Sequence, residues 1–246
     1  MRIGICAPYD LARDGGVNSH IRAQAGALRR LGHQVVIFGA ASAPLSDGER
    51  AMCGCVAAVI GETETGMGVD PRAWVRVRRL FREERFDVVH VHEPLMFIVP
   101  WCAVLQARVP IVGTFHTHRE HGHRFYSAAH RLLAPLLRRV ALRVAVSAAA
   151  ERTTARYFPG AYTVIPNGID AARFQRPAPR PPLMPRDRAA VLFVGRLEPR
   201  KGLEHLIDAM AIVQRQRPAA QLVVVGDGPN RERAMCGCVA AVIGET

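Results

Sequence analysis

The 246-residue sequence has no hydrophobic run long enough to cross a membrane. Its longest apolar stretch, residues 95–105, is interrupted by Pro100 and falls well short of the roughly 20 residues that span a bilayer. Met1 and Arg2 lead directly into an apolar strand pattern, without the apolar core and cleavage site of an export signal. We therefore expect a cytoplasmic protein, with a peripheral position at the inner face of the plasma membrane left open.

Aromatic and acidic residues are also scarce. Phe, Trp and Tyr make up 6% of the chain, and 21 acidic residues oppose 33 Lys and Arg, which gives a net charge of +12. Such a surplus favours an anionic partner: nucleic acid, an anionic membrane surface or a phosphorylated small molecule. In proteins that bind single-stranded nucleic acid, basic residues are interleaved with aromatic residues on which the bases stack. The arginines of this chain are instead dispersed along helical stretches, without aromatic residues between them. We expect no nucleic-acid partner.

Cysteine is limited to six residues, and four of these belong to a segment that occurs twice. Residues 49–63 and 232–246 both read ERAMCGCVAAVIGET. Repeat folds need several adjacent units to bury a continuous face, whereas these two copies stand far apart. The identity indicates a duplication of sequence, so residues 232–246 are treated as a suspect tail. We expect free, buried thiols and no metal site at the Cys-Gly-Cys pairs.

Strand and helix patterns alternate along the chain, which predicts an α/β fold with parallel sheets. Five prolines between residues 177 and 185 end the first run of this pattern. We predict an N-terminal domain at 1–167, a proline-rich connection at 168–188, and the start of a second domain at 189–231. Two strands and one helix do not complete a doubly wound sheet, so this second domain is expected to expose apolar side chains.

Two loops have the composition of anion sites. The first, YDLARDGGVN, leaves a strand and enters a helix, so the backbone N–H groups of Gly15 and Gly16 can approach an oxyanion. The second, VGRLEPRKGL, places Arg196, Arg200 and Lys201 between a strand and a helix. Cations at the carboxyl end of a parallel strand suit a diphosphate. An ordinary glycine turn and a solvated charged turn are the alternatives.

Histidines end two further strands. At a period of two, His90 and His92 share one face of their strand, as do His116 and His118. This grouping leaves a metal-dependent hydrolase open as an alternative, although buried, hydrogen-bonded histidines are more common than ligands. No carboxylate pattern or cysteine partner accompanies them, so we predict no metal.

Taken together, these segments resemble those of a known family. The sequences MRIGICAPYD, DGGVNSH, FDVVHVHEP, GTFHTH, AVS, IPNGID and FVGRLEPRKGL occur in the order typical of family 4 glycosyltransferases of the GT-B fold, in the phosphatidylinositol mannosyltransferase-like branch. The resemblance covers residues 1–231. It implies two Rossmann-like, doubly wound parallel-sheet domains, the second incomplete here. It also implies transfer of mannose or glucose with retention of configuration, with no required metal or cofactor.

The resemblance also implies roles for individual residues. A GDP- or UDP-sugar is the expected donor and a lipid or small molecule the expected acceptor. His116 is the predicted catalytic residue beside the transferred sugar. Asn18 stands where the closest branch is expected to have glutamine. The donor-binding residues are Gly15, Gly16, Arg196, Arg200 and Lys201, and the acceptor-binding residues are Tyr9, Asn18 and Thr117.

One family motif is absent. Two glutamates seven residues apart, which hold the nucleotide ribose and sugar in the family, are expected beyond residue 231 and do not occur there. We therefore expect weak or no activity from this truncated chain. The alternative without catalysis is a basic module that binds membranes or other anions through a helix carrying Arg72, Arg76, Arg78 and Arg79.

Overall fold

The computed structural model describes residues 1–60, 63–120, 122–179, 181, 184, 187–228 and 239–243. The chain forms two compact units. The first comprises Met1–Ala58 and Glu64–Ala171, and the second comprises Val59–Thr63 and Ala172–Thr246. The described residues contain no helix that is both long and apolar enough to cross a bilayer.

Helices and strands alternate through most of the chain. In order they are β1 (Arg2–Cys6), α1 (Gly16–Arg30), β2 (Gln34–Ala40), β3 (Glu49–Cys53), β4 (Val56–Ile60), β5 (Thr63–Met67), α2 (Ala73–Glu84), β6 (Val88–His92), α3 (Ile98–Gln106), β7 (Ile111–Phe115), α4 (Arg124–Leu137), β8 (Leu142–Ala145), α5 (Ala148–Ala155), β9 (Thr163–Val164), α6 (Ala171–Gln175), β10 (Ala190–Val194), a 3₁₀ turn (Pro199–Lys201), α7 (Leu203–Gln216), β11 (Gln221–Val225) and β12 (Val239–Ile243).

The first unit is built on a seven-stranded sheet with the order β3-β2-β1-β6-β7-β8-β9. All of its strand pairs are parallel. The chain runs outward from β1 to β3 and then returns to β6 on the other side of β1. The strand order therefore reverses between β1 and β6, and the loops that follow these two strands leave in opposite directions. Open α/β sheets bind ligands in the crevice at such a topological switch point. β4 and β5 form a separate two-stranded sheet.

Apolar layers cover both faces of this sheet. One layer contains Val91 and Phe115 with Val77 of α2, and the other contains Ile5 with Ile21 of α1. Burial on both faces explains why the strands read as nearly continuous apolar runs. Ile21 is fully buried, and burial of a side chain of this size contributes about 2–3 kcal/mol.

The second unit has a three-stranded parallel sheet with the order β10-β11-β12. β11 is buried, whereas the β10 side chains of Val191, Leu192 and Val194 are 38%, 50% and 68% exposed. This is the apolar exposure expected of a small second sheet. β12 lies inside the repeated segment 232–246, the suspect tail of the sequence, and it pairs with β11 as a third strand.

The sequence patterns predict helices at residues 95–106 and 127–140, and both begin at other residues in the structure. The apolar pattern predicts that α3 begins at residue 95, but Glu93 and Phe97 have positive φ angles of 49° and 67°, and the helix begins only at Ile98. α4 begins at Arg124, three residues earlier than predicted, because the His123 side chain accepts a hydrogen bond from Tyr126 N and caps it.

Candidate functional site

The structure brings the segments that follow β1, β6 and β7 together at the carboxyl edge of the first sheet. α1 begins at Gly16, and one turn later His20 contacts His92 and His116 edge-on, with ring centroids 5.8 and 5.9 Å apart. Glu93, directly after β6, bonds to the segment after β7. The predicted catalytic residue His116 therefore lies at the topological switch point of the sheet.

Glu93 anchors the loop that carries His116. Its carboxylate is fully buried, and Oε1 accepts hydrogen bonds of 2.8 Å from His116 N, Thr117 N and Thr117 Oγ1. Oε2 accepts a longer one, of 3.4 Å, from the Tyr126 hydroxyl. Burial raises the pKa of Glu93, and the hydrogen bonds from His116, Thr117 and Tyr126 counteract part of this shift. The predicted acceptor residue Thr117 thus supports the loop through its hydroxyl.

Four imidazoles, of His20, His90, His92 and His116, form what we call the histidine cluster. His90 stacks on His92 at 4.4 Å and His92 stacks on His116 at 5.1 Å. Burial, together with the neighbouring histidines, lowers the pKa of His90 to about 4 and that of His116 to about 3. Burial also lowers the pKa of His92 and of His20. The cluster is therefore uncharged at neutral pH and acts through hydrogen bonds.

Several buried polar atoms at this edge have no hydrogen-bond partner among the described residues. A buried polar group left unpaired costs about 1–3 kcal/mol, so a concentration of such groups indicates a place where a ligand or ordered water binds. The atoms are Asn18 Oδ1, His20 Nδ1, Gln24 Oε1, His92 Nε2 and His116 Nδ1.

The prediction that His116 and His118 share a face is wrong. β7 ends at Phe115, and the hydrogen bonds to Glu93 turn the following residues out of the strand. His118 Nδ1 instead lies 3.3 Å from Ala149 O and 3.2 Å from Thr153 Oγ1 on α5. Within the described part of the chain, no group of three or more His, Cys, Asp or Glu residues is arranged to hold a metal ion. The metal-hydrolase alternative therefore has no ligand set there.

Gly15 and Gly16 border open space. Gly15 has extended backbone, with φ −178°, and a Cβ at either glycine would meet no described atom within 4 Å. Neither glycine is therefore required by backbone conformation or by internal packing. The first turn of α1 leaves room for another molecule to reach its backbone N–H groups.

The two remaining predicted acceptor residues differ in their surroundings. Asn18 is buried, and its Nδ2 donates to Asp10 O at 2.7 Å and to Arg13 O at 2.9 Å, which closes the loop before α1. The Tyr9 ring packs edge-on against Phe97 at 5.6 Å. Burial and the nearby carboxylate of Glu93 raise the pKa of Tyr9, so its hydroxyl stays protonated.

In the second unit, the predicted donor loop is held by packing. Arg196 Nη2 lies 3.0 Å from Oε1 of Glu198, whose side chain is 2% exposed. Lys201 is exposed at the end of the 3₁₀ turn, whereas the side chain of Arg200 is outside the described part of the structure. A Cβ at Gly228 would come within 2.8 Å of Leu197 O. The loop after β11 therefore packs closely on the donor loop.

Sequence reasoning assigned no role to three residues that build these sites. Glu93 and His20 lie inside motifs quoted for the resemblance, and a carboxylate directly after a buried strand was the available signal for Glu93. Glu198 lies inside the donor loop. Glu198 is buried, and this burial depends on tertiary packing that an acidic residue type does not predict.

A cavity of about 750 Å³ lies at the opposite edge of the first sheet, where β6, β7 and β8 begin. Five arginines and several apolar side chains line it, and we call it the basic cavity. Arg139 donates to the carbonyls of Val104 and Ala107 at the end of α3. The lining residues are Trp74, Arg78, Phe81, Arg82, Arg85, Phe86, Val89, Leu105, Gln106, Arg108, Val109 and Arg139.

A Rossmann-like parallel sheet is the architecture that the resemblance to glycosyltransferases implies, and comparison with known families agrees. Residues 14–173 match Glycosyltransferase Family 4, and residues 175–240 match Glycosyl transferases group 1. The chain belongs to glycosyltransferase family 4. This confirms both the resemblance found in the sequence and the predicted parallel-sheet α/β fold class.

Individual proteins agree with this assignment. The chain is 33% identical over 235 residues to the phosphatidyl-myo-inositol mannosyltransferase of Mycolicibacterium smegmatis, which covers 94% of this chain and 60% of that protein. It therefore spans about 60% of the length of this relative. The sucrose-phosphate synthase of Thermosynechococcus elongatus superposes with a TM-score of 0.67 at 20% identity, over 100% of this chain and 70% of that one. Anabaena Alr3699/HepE in complex with UDP gives 0.62 at 19%, over 95% and 63%.

Proposed function

We propose that this protein transfers a sugar, mannose or glucose, from a GDP- or UDP-sugar to a lipid or small-molecule acceptor, with retention of anomeric configuration. Family membership supports the reaction class. The name of the mycolicibacterial relative supports mannose and an inositol-lipid acceptor, and the UDP complex of a structural neighbour supports a nucleotide donor. The observation that carries the proposal is the loop of His116, anchored by buried Glu93 beside unpaired polar atoms.

The proposed chemistry is electrostatic. Cleavage of the bond between sugar and diphosphate leaves negative charge on the departing phosphate, and preorganised cations stabilise that charge without a metal. Arg196, Arg200 and Lys201 supply these cations, and a donor-binding role is also proposed for the backbone N–H groups at Gly15 and Gly16. His116, which is neutral at pH 7, binds a sugar oxygen through a hydrogen bond. Tyr9, Asn18 and Thr117 form the acceptor side.

Donor binding tests this proposal directly. Isothermal calorimetry with GDP-mannose and UDP-glucose should detect binding of at least one donor, and the preferred nucleotide identifies the base. Lys201→Ala and Arg196→Ala should each weaken binding at least tenfold. Arg217→Ala removes an exposed cation at the other end of α7 and should leave binding unchanged. If the wild-type chain binds neither donor, or if all three variants bind alike, the proposed donor site is wrong.

Turnover is a separate expectation. The two-glutamate motif of the family is absent from this sequence, so we propose that the 246-residue chain binds its donor but transfers sugar weakly or not at all. Release of GDP or UDP in a coupled assay measures this, with hydrolysis and transfer to phosphatidylinositol or simple glycosides followed separately. Turnover at rates typical of enzymes, about 1 s⁻¹ or more, would contradict the expectation of weak activity while supporting the reaction class.

A second candidate function, binding of an anionic membrane surface without catalysis, is favoured by the basic cavity. Arg78 and Arg82 lie on α2 beside Trp74, which is 42% exposed, and each cation near an anionic surface contributes about 1 kcal/mol. Of the helix cations predicted from the sequence, Arg76 donates instead to Met52 O and Arg79 pairs with Glu83. This function places a cytoplasmic protein at the inner face of the membrane.

Flotation with phosphatidylglycerol vesicles separates the two candidates. Binding that is lost in Arg78→Glu with Arg82→Glu, but survives Lys201→Ala, supports membrane binding through the basic cavity. Arg30→Glu, at the exposed end of α1, is the matched control for added negative charge. Equal flotation of all variants, or no flotation of the wild-type chain, removes this candidate.

A further inference from the structure

The hydrogen bond between His92 and His116 fixes where two protons reside. His92 Nδ1 lies 2.8 Å from His116 Nε2, and a neutral imidazole carries one N–H and one bare nitrogen. If His92 donates, its Nε2 is bare and His116 carries its own proton on Nδ1. If His116 donates, its Nδ1 is bare and the proton of His92 is on Nε2. The two arrangements present opposite hydrogen-bonding groups to a ligand of His116.

Burial distinguishes the two arrangements. His92 is fully buried, and its Nε2 has no partner among the described residues. A proton there would be a trapped donor, and orphaned buried N–H groups are rarer in proteins than bare acceptors. His116 Nδ1 is also covered and unpaired, but His116 is only partly buried and lies in the loop after β7. An acceptor from water or a ligand can approach it there.

The adjacent histidine provides an internal reference. Gln24 Nε2 lies 3.1 Å from His90 Nδ1, and His90 Nε2 lies 2.7 Å from Thr114 Oγ1. An amide nitrogen only donates, so His90 Nδ1 accepts and its proton resides on Nε2. The neighbours of His90 therefore select its tautomer.

We propose that His92 is a positioning residue that donates its Nδ1 proton to His116 Nε2 and thereby makes His116 a hydrogen-bond donor through Nδ1. In this state the bare nitrogen of His116 is Nε2, which already accepts the proton of His92, so His116 does not act as a general base. It offers an N–H to a hydroxyl or phosphate oxygen. The use of that N–H in sugar transfer rests on the function proposed above, whereas the tautomer itself does not.

Long-range ¹H–¹⁵N spectra of the ¹⁵N-histidine-labelled chain, recorded without ligand at pH 7, test this directly. His116 should be neutral with its proton on Nδ1, and His90 should be neutral with its proton on Nε2; each is assigned by the signal lost in the His116→Gln or His90→Gln variant. His92→Phe keeps an aromatic ring but removes the donor, and His116 should lose its Nδ1–H tautomer. His92→Asn places an amide NH₂ near the position of Nδ1 and should restore it.

His118→Asn is the matched control, because His118 bonds to α5 and not to His116. It should leave the tautomer of His116 unchanged. The proposal is overturned if His116 in the wild-type chain carries its proton on Nε2 or is charged at pH 7. The wild-type spectrum alone can therefore refute it. Native His90 signals in His92→Phe would show that the cluster is still folded. The proposal is also overturned if this folded variant keeps the Nδ1–H tautomer of His116.

Discussion

Acidification from pH 7 to pH 5 should destabilise the first unit through the histidine cluster. An unfolded histidine has a pKa near 6.5, whereas burial and neighbouring histidines lower the pKa of His90 to about 4 and of His116 to about 3 in the folded protein. Because the folded values are lower, the unfolded chain takes up protons first. The contribution to stability is complete above about pH 6.5 and is lost as the pH falls toward 4 and then 3.

The size of the effect follows from proton linkage. At pH 5 an unfolded histidine is almost fully protonated while His90 and His116 remain neutral in the folded state, so each lowers the free energy of unfolding by about 2 kcal/mol between pH 7 and pH 5. The two contributions add to about 4 kcal/mol. They are additive because His90 and His116 do not repel each other while both are neutral. Burial raises the pKa of Glu93, so protonation of Glu93 offsets part of the loss. The remaining loss in the free energy of unfolding is a large fraction of the total stability of a typical protein, about 5–15 kcal/mol.

Urea unfolding at pH 7, 6 and 5 measures this loss. Both tryptophans, Trp74 and Trp101, lie in the first unit, so their fluorescence reports its unfolding. His90→Gln should reduce the loss between pH 7 and pH 5 by about 2 kcal/mol. His130→Gln removes a histidine from the surface of α4 and should leave the pH dependence unchanged. If wild type and His90→Gln lose the same stability, the histidines are not held neutral by burial.

Substitutions at three further positions test other parts of the structure. Glu93→Leu leaves three donors of the segment after β7 unpaired and should cost about 3–6 kcal/mol by urea unfolding, whereas Glu93→Gln should cost about 1–2 kcal/mol because the amide oxygen can accept the same bonds. Gly226 has φ 150°, and a Cβ there would overlap the Gly195 carbonyl oxygen, so Gly226→Ala should abolish slow amide exchange in β10 and β11. Arg22→Ala removes the 2.8 Å partner of buried Glu49 and should cost about 2 kcal/mol in the same unfolding assay, moderated by the partial exposure of Arg22. A loss below about 0.5 kcal/mol would mean that this pair does not stabilise the fold.

Much of the fold could be predicted because local pattern and tertiary environment agree. The apolar patterns of the sequence predict strands at residues 2–6 and 111–115 and a helix at residues 203–216, and these are the bounds of β1, β7 and α7. Strands buried on both faces are unbroken apolar runs, and α7 alternates its buried and exposed residues at the helical period. Strand β3 was missed, since Glu49–Cys53 begins with two charged residues that local pattern assigns to a loop.

The candidate site was only partly predictable for a related reason. The period of a strand places His90 and His92 together correctly, but it cannot show that β7 ends before His116. That ending depends on the carboxylate of Glu93, which comes from a different strand and reaches His116 and Thr117 only when the sheet is assembled. Contacts between segments remote in sequence have no local signal.

The position of β1 at the centre of its sheet has a consequence for synthesis. β1 pairs with β2 in the register Ile3↔Val35 and with β6 in the register Ile3↔Val88. At about 5–20 residues per second, roughly 4 to 17 seconds separate translation of the first strand from that of its second neighbour. During this interval one edge of β1 has no strand to pair with, and the polar edge that carries His116 does not yet exist. A nascent chain should therefore acquire protease resistance in this region in one late step, after β7 has left the ribosome.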